Sequence, residues 1–374
     1  MKLTATVKLL PTTEQRHLLR ETLARANAAC NSISTVAWDQ QTFGQYKLHH
    51  AVYLDLKATS GLSSQVIVRC IAKVANSYKR NRRTRHSFRP TGAIAYDDRI
   101  LRWMPNGVSI WTTGGRQTIE FICGDRARAL LASRQGESKL FVRDGQWFLA
   151  FAANVEELSV NTPDDWLGVD LGVTNIAVDC DGTVYSGATV KAIRHRHRRL
   201  RAKLQAKGTH GARRRLKRRG RKEHRFAKHL NHVISKQLVA TAERTKRGIA
   251  LEDLTHIRAR VRVSRPQRAT LHSWAFGQLR AFVAYKAVLA GVPVVLVDPR
   301  NTSRTCPVCG CIDKANRPRQ SEFSCTSCGF AGLADAVAAT VIGRRAVVNR
   351  PYVSEGDHGV APPRDKLPDV SGSR

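Results

Sequence analysis

The sequence predicts an α/β protein in two parts: a small antiparallel β-barrel with helices inserted after its first strand, then an α/β core interrupted by a basic helical hairpin and a four-cysteine ribbon. Three observations carry this. Apolar residues recur with a period of two between about 92 and 156; from Trp166 onward the apolar segments follow the order β-β-β…α-β…α; and two C-x-x-C pairs, 306–309 and 325–328, interrupt that second series.

Residues 2–9, KLTATVKL, alternate apolar and polar and read as a half-buried strand. In PTTEQRHLLRETLARANAACNSIS, Thr13 is the expected N-cap, and Leu18, Leu19, Leu23 and Ala26 keep helical spacing. A second helix is expected in SSQVIVRCIAKVANSYKRNRRTR, where Val66, Ile67, Cys70, Ile71, Val74 and Tyr78 share a stripe, and Lys79 and Arg80 open a basic cluster suited to phosphate. Strands are expected at GVSIWTT, QTIEFI and KLFVRDGQWFLAFA, the last turning at Asp144-Gly145, a dipeptide that accepts the positive φ of a tight hairpin. The barrel takes residues 1–10 and 90–160, the helical pair takes 11–89, and LSVNTPDD at 158–165 is the linker.

The core opens with WLGVDLGVTNIAVDCDGTVYSG: a strand bearing Asp170, a reversal near Gly172 to Asn175, a second strand, a turn at Asp181-Gly182 and a third strand. Glu252 ends the short apolar strand of RGIALEDLTHI. LHSWAFGQLRAFVAYKAVLAGVPVVLVDP reads as a helix capped by Ser273 and closed by Gly291, followed by the strand VPVVLV. Asp335 opens a final Ala-rich helix. The core therefore spans 165–300 and 331–348, with the basic insertion at 190–247 and the ribbon at 301–330, while the Pro- and Gly-rich stretch 349–374 is expected to be disordered.

Charge narrows the partner. Lys and Arg number 63 against 29 Asp and Glu, a net charge of +34, so a polyanion is expected. The excess concentrates between Arg194 and Lys228, where 12 Arg and 5 Lys accompany the single acid Glu223. Leu200, Leu204, Leu216 and Phe226 are sparse apolar anchors there, and KGTHG divides two helical stretches, which favours a phosphate-tracking hairpin over a disordered basic tail. Arg213, Arg214, Arg215, Lys217, Arg218 and Arg219 are its expected nucleic-acid contacts. No run of eighteen apolar residues occurs, so no membrane span is expected.

Cys306 and Cys309 form one knuckle, Cys325 and Cys328 a second, with fifteen residues between them, the spacing of a tetrahedral all-thiolate zinc site. Four unrelated buried thiols, or two disulfides in a secreted protein, are the alternatives. The remaining cysteines, at 30, 70, 123, 180 and 311, show no pairing pattern, and no hydrophobic leader follows Met1-Lys2, so a reducing, cytoplasmic setting is expected. A closed four-thiolate site is structural: it clips a loop poor in apolar residues into a rigid ribbon.

An acid in the middle of a buried apolar strand costs several kcal/mol unless it is paired or bound to metal, so Asp170 requires compensation. Taken alone, Asp335 reads as an ordinary first-turn residue favourable to its helix dipole. Asp170, Glu252 and Asp335 together, on a strand centre, a strand end and a helix start, follow the plan of a ribonuclease H-like nuclease core, in which carboxylates converge on two magnesium ions for in-line phosphodiester hydrolysis.

The motifs GVDLGV (168–173), IALEDL (249–254), YKAVLAGVPVVLVDPRNTSRTCPVCG (285–310) and CTSCGFAGLADAVAAT (325–340), with LPTTEQ near the start, resemble the TnpB/OrfB family of transposon-encoded RNA-guided DNA nucleases, relatives of the type V CRISPR effectors, over about residues 1–346. The resemblance implies a RuvC-type core with Asp170, Glu252 and Asp335 as magnesium ligands, a wedge-like barrel with a helical recognition insertion, a bound guide RNA, and a target DNA duplex that delivers a single strand to the active site. It also implies association with the bacterial nucleoid when bound to DNA. The family usually carries Asn two residues after the last Asp; here Val337 stands in that place, and restoring Asn is expected to raise cleavage if its absence limits the site. A nuclease-derived binder without cleavage and a transposase of the Asp-Asp-Glu kind are the alternatives. The latter typically ends its triad on Glu, whereas here Asp is last.

Overall fold

The computed structural model describes residues 1–255 and 276–348, which form two compact units meeting in sequence at Glu156 and Glu157. The expected cap at Ser273 and the expected tail at 349–374 lie outside the described residues.

In the first unit, β1 (Lys2–Leu9) leads into α1 (Thr13–Asp39). The cap of α1 is Thr12, one residue before the expected Thr13, because Thr12 and Gln15 close a reciprocal capping box: the Thr12 hydroxyl accepts from Gln15 N and the Gln15 side chain accepts from Thr12 N. The helical insertion then holds three helices where the sequence suggested two. The addition is α2 (Gln45–Thr59), whose stripe is only Leu48, Val52 and Leu56 and whose N-cap, Gly44, offers no side-chain acceptor. Next comes α3 (Ser64–Arg80), capped by Ser63 and buried along the expected Val66–Tyr78 stripe.

The chain returns to β2 (Ile94–Tyr96), β3 (Leu101–Trp103), β4 (Gly107–Thr112) and β5 (Gly115–Ile122), a short α4 (Asp125–Leu131), and the hairpin β6 (Arg134–Arg143) and β7 (Gln146–Asn154). Asp144 and Gly145 both take positive φ, 51° and 76°, as a two-residue hairpin turn demands. The seven strands pair antiparallel in the order β2-β6-β7-β1-β5-β4-β3. The edge strands β2 and β3 are joined by residues 97–100 alone, so the sheet curls nearly to a barrel. Its inward side chains, including Val7, Leu9, Leu140, Leu149 and Phe151, share one apolar core with α1 and α3.

The second unit starts with β8 (Trp166–Asp170), β9 (Asn175–Asp179) and β10 (Val184–Ser186), then the helical hairpin α5 (Ala188–Lys207) and α6 (His210–Arg244). There follow β11 (Gly248–Glu252), α7 (Phe276–Leu289), β12 (Val294–Val297), the ribbon strands β13 (Glu322–Ser324) and β14 (Ala331–Leu333), and α8 (Ala334–Val348). The five-stranded sheet runs β10-β9-β8-β11-β12; β8, β9 and β10 are antiparallel neighbours, whereas β8, β11 and β12 are parallel. Alternate residues face opposite layers. Leu167, Val169, Ile249 and Leu251 pack against Ile234 and Leu238 of α6 and Leu279 and Val283 of α7, while Trp166, Ala250 and Val297 pack against Ile342 and Ala346 of α8. Asp170 and Glu252, two residues beyond Gly168 and Ala250, therefore fall on the α8 side.

Candidate active site and four-cysteine ribbon

Strand register brings the first two acids together. Leu251 pairs with Val169 in the parallel β8·β11 ladder, so the next step sets Glu252 beside Asp170. The third arrives on α8, which lies unusually close to β8: a Cβ on Gly168 would stand 2.0 Å from the Ala339 carbonyl oxygen. With Gly168 bare, the first turn of α8 reaches the strand end. Asp170, Glu252 and Asp335 line one cleft of about 320 Å³.

The acids differ in their surroundings. Burial, reinforced by the charges of Glu252 and Asp335, pushes Asp170 up to about 7; the Leu171 N–H and Arg317 pull the other way. Burial also raises Glu252, against a hydrogen bond from the Thr302 hydroxyl. Asp335 accepts from Asn175 Nδ2 at 2.9 Å on Oδ2, and Arg317 stands 3.4 Å from Oδ1. Three carboxylates crowded into a half-buried cleft, one of them raised by burial and by the charges of the other two, are an oxygen donor set that suits a hard divalent cation.

Asn175, Thr302 and Arg317 carry no signal in the sequence that distinguishes them. Thr302 meets an acid fifty positions away. Arg317 is one of several arginines in the ribbon loop, singled out only because its guanidinium is braced by the Gln320 carbonyl, with Nη2 at 2.6 Å. Val337 does not line the cleft. Its side chain is buried among Phe323, Cys325 and Ala334, where the ribbon meets α8.

The four expected cysteines do converge: their sulfurs all lie within 4.8 Å of one another, with Cys306–Cys328 at 3.6 Å and Cys309–Cys325 at 3.5 Å. A tetrahedral zinc with bonds of about 2.3 Å spaces its sulfurs about 3.8 Å apart, so the cluster fits one ion. The two knuckles repeat a single design. Gly310 and Gly329, each following the second cysteine, take φ of 73° and donate to the carbonyls of Cys306 and Cys325. The two thiols of the second knuckle are pushed opposite ways: the N–H groups of Cys328 and Ser327 lower Cys325, while Cys328, against the Phe330 N–H, is raised by desolvation and the neighbouring thiols. Buried Asn316 locks the knuckles together: its amide donates to the Arg304 and Cys311 carbonyls and accepts from Thr326 N and Oγ1.

The basic hairpin forms as expected. Gly208 closes α5 in the left-handed region and Thr209 caps α6 by accepting from Ala212 N. Arg213, Arg214, Arg215, Lys217 and Arg218 are exposed and Arg219 is partly covered; in the first unit, Lys79 and Arg80 are exposed at the end of α3. Glu223, the one acid between Arg194 and Lys228, bridges the two helices through His197 at 2.6 Å and Arg201 at 2.7 Å. Among the described residues no helix is long and apolar enough to cross a membrane.

Residues 151–256 match the family model OrfB_IS605, a probable transposase, and residues 276–342 match the Cas12f1-like TNB domain. The chain is 38% identical over 120 residues to a TnpB-like protein of Methanocaldococcus jannaschii, a stretch covering 32% of this chain and 42% of that one. It is 29% identical over 205 residues to the CRISPR-associated endodeoxyribonuclease Cas12f1 of Syntrophomonas palmitatica, covering 50% and 40%. The match thus spans less than half the length of either relative. In fold the chain resembles CasPhi-2 (Cas12j) bound to crRNA, with TM-score 0.58 at 12% identity over 93% of this chain and 98% of that one.

Proposed function

We propose that this chain, a relative of the TnpB/OrfB and Cas12f proteins, is an RNA-guided DNA endonuclease that hydrolyses the target backbone at the Asp170–Glu252–Asp335 cleft. One observation carries the reading: three acids from a strand, a neighbouring parallel strand and a helix line a single cleft. The strand order β10-β9-β8-β11-β12, with α8 laid on β8, supports a ribonuclease H-like, RuvC-type core, and the curled sheet of the first unit supports a wedge-like barrel whose three inserted helices form the recognition segment.

In this reading Asp170, Glu252 and Asp335 are the magnesium ligands. Bound there, two ions would activate a water and stabilise the leaving oxygen of an in-line displacement. The protein's own groups do the rest. Thr302 and Asn175 orient two of the carboxylates, and Arg317 presents positive charge where a phosphate would enter. The ribbon, which we assign to zinc on Cys306, Cys309, Cys325 and Cys328, carries Arg317 and packs Val337 of α8, so it fixes one wall of the cleft. The exposed arginines of α6, with Lys79 and Arg80, would neutralise phosphates of the guide RNA and its DNA partner. Base pairing would then supply target choice, because phosphate contacts carry no sequence information.

The test is to purify the protein from cells expressing its flanking locus, extract the bound RNA, and challenge the complex with duplexes matched or mismatched to that RNA. A bound structured RNA and magnesium-dependent cleavage of matched duplex alone are expected. A protein free of RNA, or cleavage indifferent to the match, would exclude RNA guidance.

A further inference from the structure

We infer that Asn175 is the positioning residue for Asp335: its amide holds one carboxylate oxygen so that the other is presented to the cleft in the orientation a divalent cation requires. The inference rests on the reading of the cleft given above. Asn175 Nδ2 donates to Asp335 Oδ2 at 2.9 Å, across 160 positions of sequence, so the first residue of β9 is tied directly to the first turn of α8.

The donor is rigidly placed. A Cβ on Gly172 would stand 2.7 Å from the Asn175 carbonyl oxygen, and a Cβ on Gly187 would stand 2.5 Å from the Thr174 carbonyl oxygen. Gly187 N also donates to that Thr174 oxygen at 3.0 Å. The β8–β9 reversal is thus packed from both sides by bare backbone, and the Asn175 amide is delivered by a fixed main chain.

Its chemistry suits the task. The three acids are held in three ways: Asp170 by the Leu171 N–H, Glu252 by the Thr302 hydroxyl, Asp335 by the Asn175 amide. Arg317 also reaches Asp335, but at 3.4 Å on Oδ1, and as a cation it competes with a metal for that oxygen. A neutral amide does not. It donates to the carboxylate whether or not a cation is bound, fixes its rotation, and leaves the charge available to the ion. Outer donors of this kind typically govern metal affinity by 10–100-fold.

The experiment uses the protein with its copurifying RNA and compares Asn175→Leu, close in shape but without a donor, Asn175→Asp, of the same shape with an acceptor in its place, and Asn175→Gln, which keeps the donor. Three quantities are read on each: Mn²⁺ affinity by the paramagnetic resonance of free ion, the Mg²⁺ dependence of cleavage, and the melting temperature without added divalent cation. The expected result is Mn²⁺ affinity weakened about 10–100-fold in the Leu and Asp variants, a Mg²⁺ half-saturation raised to match, and cleavage largely recovered at saturating metal. Melting should stay near wild type in the Leu variant, and Asn175→Gln should recover part of the affinity. Wild-type metal dependence in the Leu and Asp variants, or losses that follow a fallen melting temperature and ignore added metal, would overturn the inference. Asp170→Ala separates the premise from it: if that variant binds Mn²⁺ and cuts as wild type does, the cleft has been misread, whatever Asn175 does.

Discussion

Gly168 of β8 and Gly343 of α8 meet backbone to backbone: a Cβ on Gly168 would lie 2.5 Å from Gly343 N as well as 2.0 Å from the Ala339 carbonyl oxygen. No rotamer change relieves a clash with main chain. This contact brings a helix within reach of a strand end, and with it Asp335 within reach of Asp170.

Gly168→Ala should therefore displace α8 or strain it. Overpacking of this kind costs about 1–3 kcal/mol, and the backbone nature of the clash places this one at the upper end. Denaturant unfolding should show the loss, and magnesium-dependent cleavage should fall further than the remaining folded fraction explains, because the two aspartates would be separated.

The cysteine cluster predicts one zinc per chain under reducing conditions, measurable by elemental analysis. Cys325→Ser should lose the ion and loosen the ribbon, and because Val337 of α8 packs on Phe323 and Cys325, the damage should reach the helix that carries Asp335 and lower the melting temperature. Zinc-free protein that melts as wild type does would show that the cluster is not a structural metal site.

The raised Asp170 sets a pH dependence. Its ordinary value is 3.8 and its folded value about 7, so between those limits the metal-free folded state holds the proton more tightly than the unfolded chain does. The stability it contributes is present below pH 3.8 and is lost as pH rises toward 7. Added magnesium requires the ionised form and should offset the loss, so its effect on the melting temperature should grow across that range. Asp170→Asn should remove the slope and melt above wild type at pH 8 in magnesium-free buffer. Melting curves with and without magnesium, zinc being left in place, check both statements.

Val337→Asn should not raise cleavage. Judged by its place after Asp335 alone, the position invites restoration of an amide. Its side chain, however, is 5% exposed and faces the ribbon cluster, so Asn there buries a polar group among apolar neighbours at a cost of about 1–3 kcal/mol. Unfolding and cleavage measured on one preparation decide this: a faster enzyme of unchanged stability would contradict it.

How much of this was legible depends on the range over which each residue acts. The knuckles, the Asp144-Gly145 turn and the Thr209-capped hairpin depend on neighbours within a few positions, so their residue types announce them. Asp170, Glu252 and Asp335 stand out because strand, strand and helix follow a recurrent order, although Asp335 alone would pass for a dipole partner. The helix α2 was missed because three apolar positions and a Gly cap are a faint pattern that only packing against α1 and α3 makes sufficient. Asn175, Thr302 and Arg317 act on partners fixed by the tertiary fold, and polar residues at a strand start or in a loop look alike until the chain closes.

The central claim is that Asp170, with Glu252 and Asp335, holds the cations that cut DNA. It is tested most directly by cleavage of a matched duplex by RNA-loaded wild type and Asp170→Ala in magnesium, beside a gel-shift assay on the same preparations in calcium, which accepts looser coordination than magnesium. The account predicts that both proteins bind the duplex and that only wild type cuts, with Asp170→Ala slower by orders of magnitude. Equal cutting by the two proteins would contradict it.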